Sequence, residues 1–535
     1  MSNLIPTTVK EILYKSESGP LWQKIGASQH HGIVVPLFSL HSDTSGGIGE
    51  YPDLLPLIPW CRECGLDVIQ LLPLNDTGLE SSPYSALSAF ALNPIHLSLM
   101  HLPKLMEDSN LKHRVEELTH LNKSQRVAYA DIHWNKDGIL KDYYHQFGPD
   151  IYKQESYQFF KDKHHVWIYD YALYKTLKIQ HQWKGWEEWQ DQYKNYSPDI
   201  WQHLEKGWLD EIEYHIFIQY LCFEQFEEVK RMAESHQVYL MGDIPILINR
   251  DSADVWAYRR FFNLDFAVGA PPDMYAAEGQ KWGFPLYNWD ALAAENYAWW
   301  IQRFEVAKLF YDIFRIDHIV GFFRLWGIPL SKLPIEGSYI PADERLWIPL
   351  GAGLMRMMLS HCNMLPVGED LGVVPTEFRK CLRELGISGM KVMRWERRWN
   401  TDKEFIDPKE YQPESLTTIS THDSETLAQW WKNQPEEAKL YAKTLGWNYA
   451  PQITDEQRSK ILKISHHSGS LFHINLLQEY LALVPNMTWT NLDDERINTP
   501  GTVSPANWSY KFRPSVEEIV NNTLLKQVFA NILKG

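Results

Sequence analysis

The sequence predicts an α/β fold, a (β/α)8 TIM barrel with mainly helical insertions on its catalytic face. Three observations predict it. Short β-favouring runs recur, each ending in polar or glycine-rich sequence; stretches with helical spacing fall between several of them; and acids stand at the ends of four runs. Strands alternating with helices imply a parallel sheet, and about eight such units suggest a closed barrel. A doubly wound open sheet is the runner-up. A chain of 535 residues is long for one minimal domain but suits a barrel with insertions.

In chain order the runs cover residues 32–40, 66–74, 238–248, 311–319, 364–371, 390–395 and 416–420, with a weaker eighth at 496–503. The clearest helix precedes the third run, where Ile216, Tyr220, Phe223, Phe226 and Val229 repeat at three and four residues and form one apolar face. Between 74 and 238 there is far more chain than one crossover helix needs. Residues 100–205 are rich in Trp, Tyr, His, Lys and Glu and hold helical pieces such as 168–177. They are expected to form a helical insertion within a single catalytic barrel domain spanning 1–535. The tail after about 425 reads as helical until 486. No fixed-period repeat or low-complexity linker divides the chain.

Composition narrows the function. Hydrophobic content of 44% and charged content of 22% are ordinary for a soluble enzyme with a substantial core. A formal charge of -16 argues against nucleic acid or an anionic membrane as partner, since both select a basic face. The 23 Trp and 27 Tyr are a high load of flat rings, which suit sugar stacking as well as a core. Cys61, Cys64, Cys222, Cys362 and Cys381 do not resemble a disulfide framework. The start, Met1-Ser2-Asn3-Leu4-Ile5-Pro6, lacks a signal-peptide pattern, and no apolar run is long enough to span a bilayer. A reducing, cytoplasmic location is expected.

Several motifs weaken on inspection. Cys61-Arg62-Glu63-Cys64 has the C-x-x-C form, but no second Cys or His pair lies at finger spacing. Gly46-Gly47-Ile48-Gly49 fits neither phosphate-loop pattern and reads as a tight turn. The pairs His30-His31, His164-His165 and His466-His467 make poor metal sites, because neighbours on a chain rarely converge. H-E-x-x-H and G-x-S-x-G are absent, which removes support for metal- or serine-based hydrolysis.

The acids at the strand ends behave differently. The apolar run 309–313 continues into Phe314-Arg315-Ile316-Asp317-His318. On a strand Arg315 and Asp317 share a face, and an arginine there keeps the acid ionised and oriented. Asp317 is thereby a candidate nucleophile. Gly368-Glu369-Asp370, Thr421-His422-Asp423 and Gly242-Asp243-Ile244 put further acids at or near the ends of other runs. A lone Arg-x-Asp is better explained as a structural ion pair. In a barrel, however, the four ends form one ring, and facing carboxylates push their pKa values apart as two-carboxylate glycosidic chemistry requires.

With these residues in place, the chain resembles the amylomaltase (4-α-glucanotransferase, disproportionating enzyme) family of the α-amylase superfamily. The likeness runs from about residue 30 to about 512. It includes Gly47-Ile48-Gly49, Leu71-Leu72-Pro73-Leu74, Ser82-Pro83-Tyr84-Ser85, Gly242-Asp243-Ile244-Pro245, Pro271-Pro272-Asp273 and Gln280-Lys281-Trp282-Gly283. It continues through Arg315-Ile316-Asp317-His318, Gly368-Glu369-Asp370-Leu371-Gly372, Thr421-His422-Asp423, Ile497-Asn498-Thr499-Pro500-Gly501-Thr502 and Asn507-Trp508. Trp282-Gly283-Phe284-Pro285, Asn296-Tyr297-Ala298-Trp299-Trp300, His318-Ile319-Val320-Gly321-Phe322-Phe323-Arg324 and Arg394-Trp395 resemble the plant cytosolic disproportionating type, without its starch-binding modules.

The resemblance implies a retaining transfer of α-1,4-glucan or glucosyl segments between maltooligosaccharides, glucose and glucans, with glycogen a possible polymer, and no metal or organic cofactor. It also implies the roles. Asp317 matches the nucleophile, Glu369 the acid/base, Asp423 the third acid on the donor sugar, Arg315 the residue orienting the nucleophile, and His422 a contact to donor hydroxyls. Tyr84, Asp243, Trp282, His318 and Asn498 match glucan-contacting positions. An α-glucan hydrolase is the nearest alternative, and a non-catalytic glucan-binding protein is the alternative from another class. The sequence leaves oligomeric state open.

Overall fold

A computed structural model describes residues 7–272, 277–399 and 401–534; Asp273 of the Pro271-Pro272-Asp273 motif lies outside them. Eight parallel strands form one sheet: β1 (His30–Val34), β2 (Val68–Gln70), β3 (Tyr239–Pro245), β4 (Ile313–Asp317), β5 (Leu365–Gly368), β6 (Gly389–Val392), β7 (Ser415–Thr418) and β8 (Phe472–Leu476). Their order is β5-β4-β3-β2-β1-β8-β7-β6. A parallel bridge between Val367 and Ser388, with Gly368 N–H donating to Ser388 O at 2.7 Å, joins the two ends. The sheet is therefore a barrel with strands in sequence order, and all eight C-terminal ends open on one face.

The crossovers use helices α1 (Leu54–Glu63), α2 (Tyr129–Ile151), α3 (Glu155–Gln180), α4 (Trp208–Ser235), α5 (Ala298–Ala307), α6 (Trp347–His361), α7 (Thr376–Leu385) and α8 (Asp455–His466). The long stretch between β2 and β3 contains α2, α3 and α4. Ile216, Tyr220, Phe223, Phe226 and Val229 of α4 are all buried, as their spacing predicts. Asp210 and Glu211 in its first turn complement the helix dipole. Phe226 meets Tyr51 and Phe310 edge-on at 5.4 and 5.0 Å. Its truncation to alanine would cost about 3–5 kcal/mol. The β6-to-β7 connection is different: among the described residues its one helical element is the short 3-10 turn Pro408–Glu410.

Strand interiors are buried on both faces, as a parallel barrel under helices demands. Ile313, Phe314 and Ile316 of β4 are almost fully enclosed. Gly242 of β3 has to lack a side chain, because a Cβ there would lie 2.4 Å from the Tyr311 ring. That close approach lets Asp243, the next residue, sit opposite Arg315 in the β3/β4 register.

Two expectations are corrected. The eighth strand is not 496–503, which forms a loop around Pro500 and Gly501; proline removes a ladder donor, and glycine weakens a strand. The eighth strand is Phe472–Leu476, inside the tail read as helical to 486. Its alternate residues His473 and Asn475 are polar yet wholly buried: His473 Nδ1 lies 2.8 Å from Ser465 O, and Asn475 Nδ2 donates to Ser465 Oγ and Tyr480 Oη at 3.1 Å each.

Candidate active site

Strand register does the first part of the assembly. Asp317 ends β4, and Glu369 follows β5, whose Gly368 pairs with Ile316. The two acids are thus neighbours on adjacent strand ends, about 4.8 Å apart from strand to strand. His422 and Asp423 lie just beyond β7, and Asp243 lies within β3.

Arg315 organises one half of the site. Its Nη1 donates to both oxygens of Asp243 at 2.8 and 2.7 Å, and its Nη2 lies 2.8 Å from Asp317 Oδ1. Burial alone would lower the guanidinium pKa; Asp243 and then Asp317 outweigh it and hold Arg315 firmly cationic. Tyr84 donates to Asp243 Oδ2 at 2.8 Å and lies 2.9 Å from His422 Nε2. Burial, and then the charge of Asp243, push the Tyr84 hydroxyl well above its ordinary range, so it remains a donor. The Tyr84 ring stacks on His422 at 5.6 Å, and Trp508 contacts both rings at 5.5 and 5.8 Å.

The other half holds the remaining acids. Asn498 Nδ2 donates to Asp423 Oδ1 at 2.6 Å, and His422 Nε2 lies 3.4 Å from Asp423 Oδ2. Burial would raise the Asp423 pKa, but His422, Asn498 and Arg315 together hold it well below the carboxylate range. Glu369 goes the opposite way. Burial, helped by the negative charge of Asp317, pushes it up to about 8 against the pull of Arg315 and the His318 N–H. That N–H donates to Glu369 Oε2 at 2.8 Å, and Leu371 N–H donates to Oε1 at 3.2 Å. His318 has φ of 54°, a left-handed conformation that is strained for a histidine and turns the chain sharply after Asp317. The His318 ring meets Trp282 edge-on at 5.3 Å, and burial lowers its pKa.

All ten expected residues fall in this one network: Asp317, Glu369, Asp423, Arg315, His422, Tyr84, Asp243, Trp282, His318 and Asn498. Sequence reasoning missed Arg496, whose Nη2 donates to Asp423 O at 3.0 Å and whose Nε donates to Asn498 O at 2.7 Å. Its place two residues before Asn498 was the available signal. Chemically, the site presents one carboxyl group that stays protonated near neutral pH beside carboxylates fixed by cations and amide donors. Such a pair suits acid catalysis coupled to nucleophilic attack.

The chain is 43% identical to the 4-alpha-glucanotransferase of Chlamydia pneumoniae, over 97% of this chain and 98% of that protein. It is 24% identical to 4-alpha-glucanotransferase DPE2 of Oryza sativa subsp. japonica, over 92% of this chain and 68% of the rice protein. The amylomaltase from Streptococcus agalactiae shares the fold with a TM-score of 0.79 at 24% identity, covering 94% of this chain and 98% of that one. Residues 35–517 match the family described as 4-alpha-glucanotransferase, and the chain belongs to that family.

Proposed function

We propose that this 4-alpha-glucanotransferase works by retaining double displacement through a covalent glycosyl-enzyme. Asp317, oriented through Oδ1 by Arg315, attacks the anomeric carbon of the donor with Oδ2. The glycosidic carbon–oxygen bond breaks, and protonated Glu369 gives its proton to the leaving oxygen. An acceptor hydroxyl then loses its proton to Glu369 and takes the anomeric carbon from Asp317, restoring both acids. The observation that carries this reading is the pairing of Asp317 with Glu369 on adjacent strands, with Glu369 pushed up to about 8. Retaining chemistry needs the carboxyl groups roughly 5–5.5 Å apart, whereas inverting enzymes leave roughly 6.5–9.5 Å for a water.

Asp423, held ionised between His422 and Asn498, binds the donor sugar and stabilises positive charge at the ring. Tyr84, Asp243, Trp282 and His318 complete the glucan contacts. The solved Streptococcus agalactiae amylomaltase is in complex with acarbose; we take maltooligosaccharides as donors here, and glycogen-type polymers as well as glucose as acceptors. We read residues 100–205 as a helical insertion bordering the acceptor side. Among the described residues no helix is long and apolar enough to cross a membrane, and we place the enzyme in the cytoplasm, where such polymers are stored.

Incubation with maltotriose tests the reading. Transfer yields glucose and longer chains with no net gain in reducing ends. A steady gain in reducing ends without longer products would replace transfer by hydrolysis.

A further inference from the structure

Arg394 lies two residues beyond β6 and is only 5% exposed. Burying a guanidinium is costly unless its charge and donors are matched. Glu479 and then Glu425 supply compensating charge, and the Trp430 ring lies 5.7 Å from the guanidinium carbon. Its donors, however, are used unevenly. Nη2 donates to Ser424 Oγ and to the Glu425 carbonyl, both at 2.6 Å, while Nε and Nη1 have no hydrogen-bond partner among the described residues. Every hydrogen bond of this side chain therefore goes to the two residues after Asp423.

Ser424 closes a tight turn. Its N–H donates to Thr421 O at 3.1 Å, and its hydroxyl accepts from Thr421 N–H at 2.9 Å. His422 and Asp423 are the two central residues of that turn, so the position of Ser424 fixes the direction of both side chains. Arg496 and Asn498 hold Asp423 from another element, through its carbonyl and carboxylate. Arg394 grips the same turn from the β6 side, across the crossover in which the described residues form no α-helix.

We infer that Arg394 is a positioning residue for the His422–Asp423 turn: its bonds to Ser424 Oγ and Glu425 O set the direction in which Asp423 meets the donor sugar. The inference rests on the part proposed above for Asp423. It makes the β6 loop a contributor to transition-state alignment although Arg394 itself touches no substrate. A shorter neutral side chain, as in Arg394→Gln, removes the buried charge together with the doubled donation.

Steady-state kinetics with maltotriose test this on Arg394→Gln, Arg394→Lys, Ser424→Ala and Asp423→Ala. Misplacement of one group by about 1 Å costs about 10²-fold in rate. Arg394→Gln and Ser424→Ala are expected to lose about that much in kcat with little change in KM, and Arg394→Lys to recover part of it. Ser424→Ala also removes the Thr421 bond, so Arg394→Lys, which keeps the buried charge, decides the matter where Arg394→Gln folds poorly: a kcat no better than that of Arg394→Gln counts against a role carried by donation to the turn. Full kcat in Ser424→Ala and Arg394→Gln, beside an inactive Asp423→Ala, overturns the positioning role alone. An active Asp423→Ala would instead remove the reading of Asp423 on which it rests.

Discussion

The backbone N–H of His318 donates a 2.8 Å hydrogen bond to Oε2 of Glu369. The residue after Asp317 thus orients the carboxyl group on the neighbouring strand, and the left-handed turn at His318 makes that reach possible. Asp317 and Glu369, the proposed nucleophile and acid/base, are coupled through one peptide unit rather than held by separate loops. An N–H aimed at a carboxyl oxygen favours the charged form, yet Glu369 is pushed up to about 8 because burial and Asp317 outweigh it.

This predicts a basic limb in the rate profile. In the proposed mechanism Glu369 has to be protonated for glycosyl-enzyme formation, so kcat/KM should fall as pH rises through about 8. Stability follows the same proton. The unfolded chain holds the glutamate near its ordinary value of about 4.3; between there and 8 the folded state binds the additional proton. The stabilisation is fully present below the unfolded value and is lost as pH rises through the folded one. Glu369→Gln should therefore be inactive yet gain stability relative to wild type from pH 5 to pH 9. Thermal melts that stay parallel across that range would contradict the shift.

Asp317→Ala should lower kcat by at least about 10³-fold, since in the proposed mechanism the lost group forms the covalent bond. Glucan binding should survive, because Tyr84 keeps its bonds to Asp243 and His422, and Asn498 keeps its bond to Asp423. Calorimetric titration with maltotetraose separates the two effects; residual turnover near wild type would reassign the nucleophile.

Asp317, Glu369 and Asp423 were legible because each stands where an apolar run stops, and Arg315 and Asp317 show the spacing of one strand face; Asp243 lies inside its run. Asn498 was found even though its segment was read as a strand: Ile497, Thr499 and Thr502 are β-favouring, but Pro500-Gly501 turns them into a loop. β8 escaped because His473 and Asn475 look solvent-facing in sequence, whereas both are enclosed and hydrogen-bonded to Ser465. No spacing shows that Arg394 reaches Ser424 thirty residues on, since the partnership exists only once β6 and β7 lie side by side. The histidine pairs teach a related lesson. His30-His31 and His466-His467 do not act as pairs; instead His31 meets His466 across the fold, Nδ1 to Nδ1 at 2.9 Å.

A buried ion pair ties the β1 loop to α2. Lys136 Nζ donates to Glu50 Oε1 at 2.6 Å and to the carbonyls of Ile95 and Leu97 at 2.9 Å, and both charged side chains are almost fully enclosed. Removing one partner strands the other in a dry site. Lys136→Met should cost about 3–5 kcal/mol, and the double change Lys136→Met with Glu50→Gln should recover a large part of it. Urea unfolding of the four proteins measures the coupling; purely additive losses would show that the pair is not the unit.

The histidines between β1, β8 and α8 predict the acid behaviour of the fold. His31 and His473 are register partners stacked at 5.0 Å, and His466 covers them from α8 while bonding Tyr480 Oη at 2.5 Å. Burial lowers His31 to about 4 and His473 to about 3, and holds His466 well below the ordinary value. Asp67, which faces His30 and His31, opposes this for His31 without reversing it, while His30 and His467 add like charge. The unfolded chain protonates its histidines near 6.5. Between 6.5 and about 4 the unfolded state binds more protons, so stability is present above the unfolded value and drains away as pH falls through the folded ones. His466→Gln should lose about 1–2 kcal/mol at pH 7.5, from its bonds to His31 and Tyr480. It removes one of the groups that must charge, so its deficit should shrink steadily at pH 5.5 and 4.5. Unfolding free energies that fall in parallel for variant and wild type would place the acid sensitivity elsewhere.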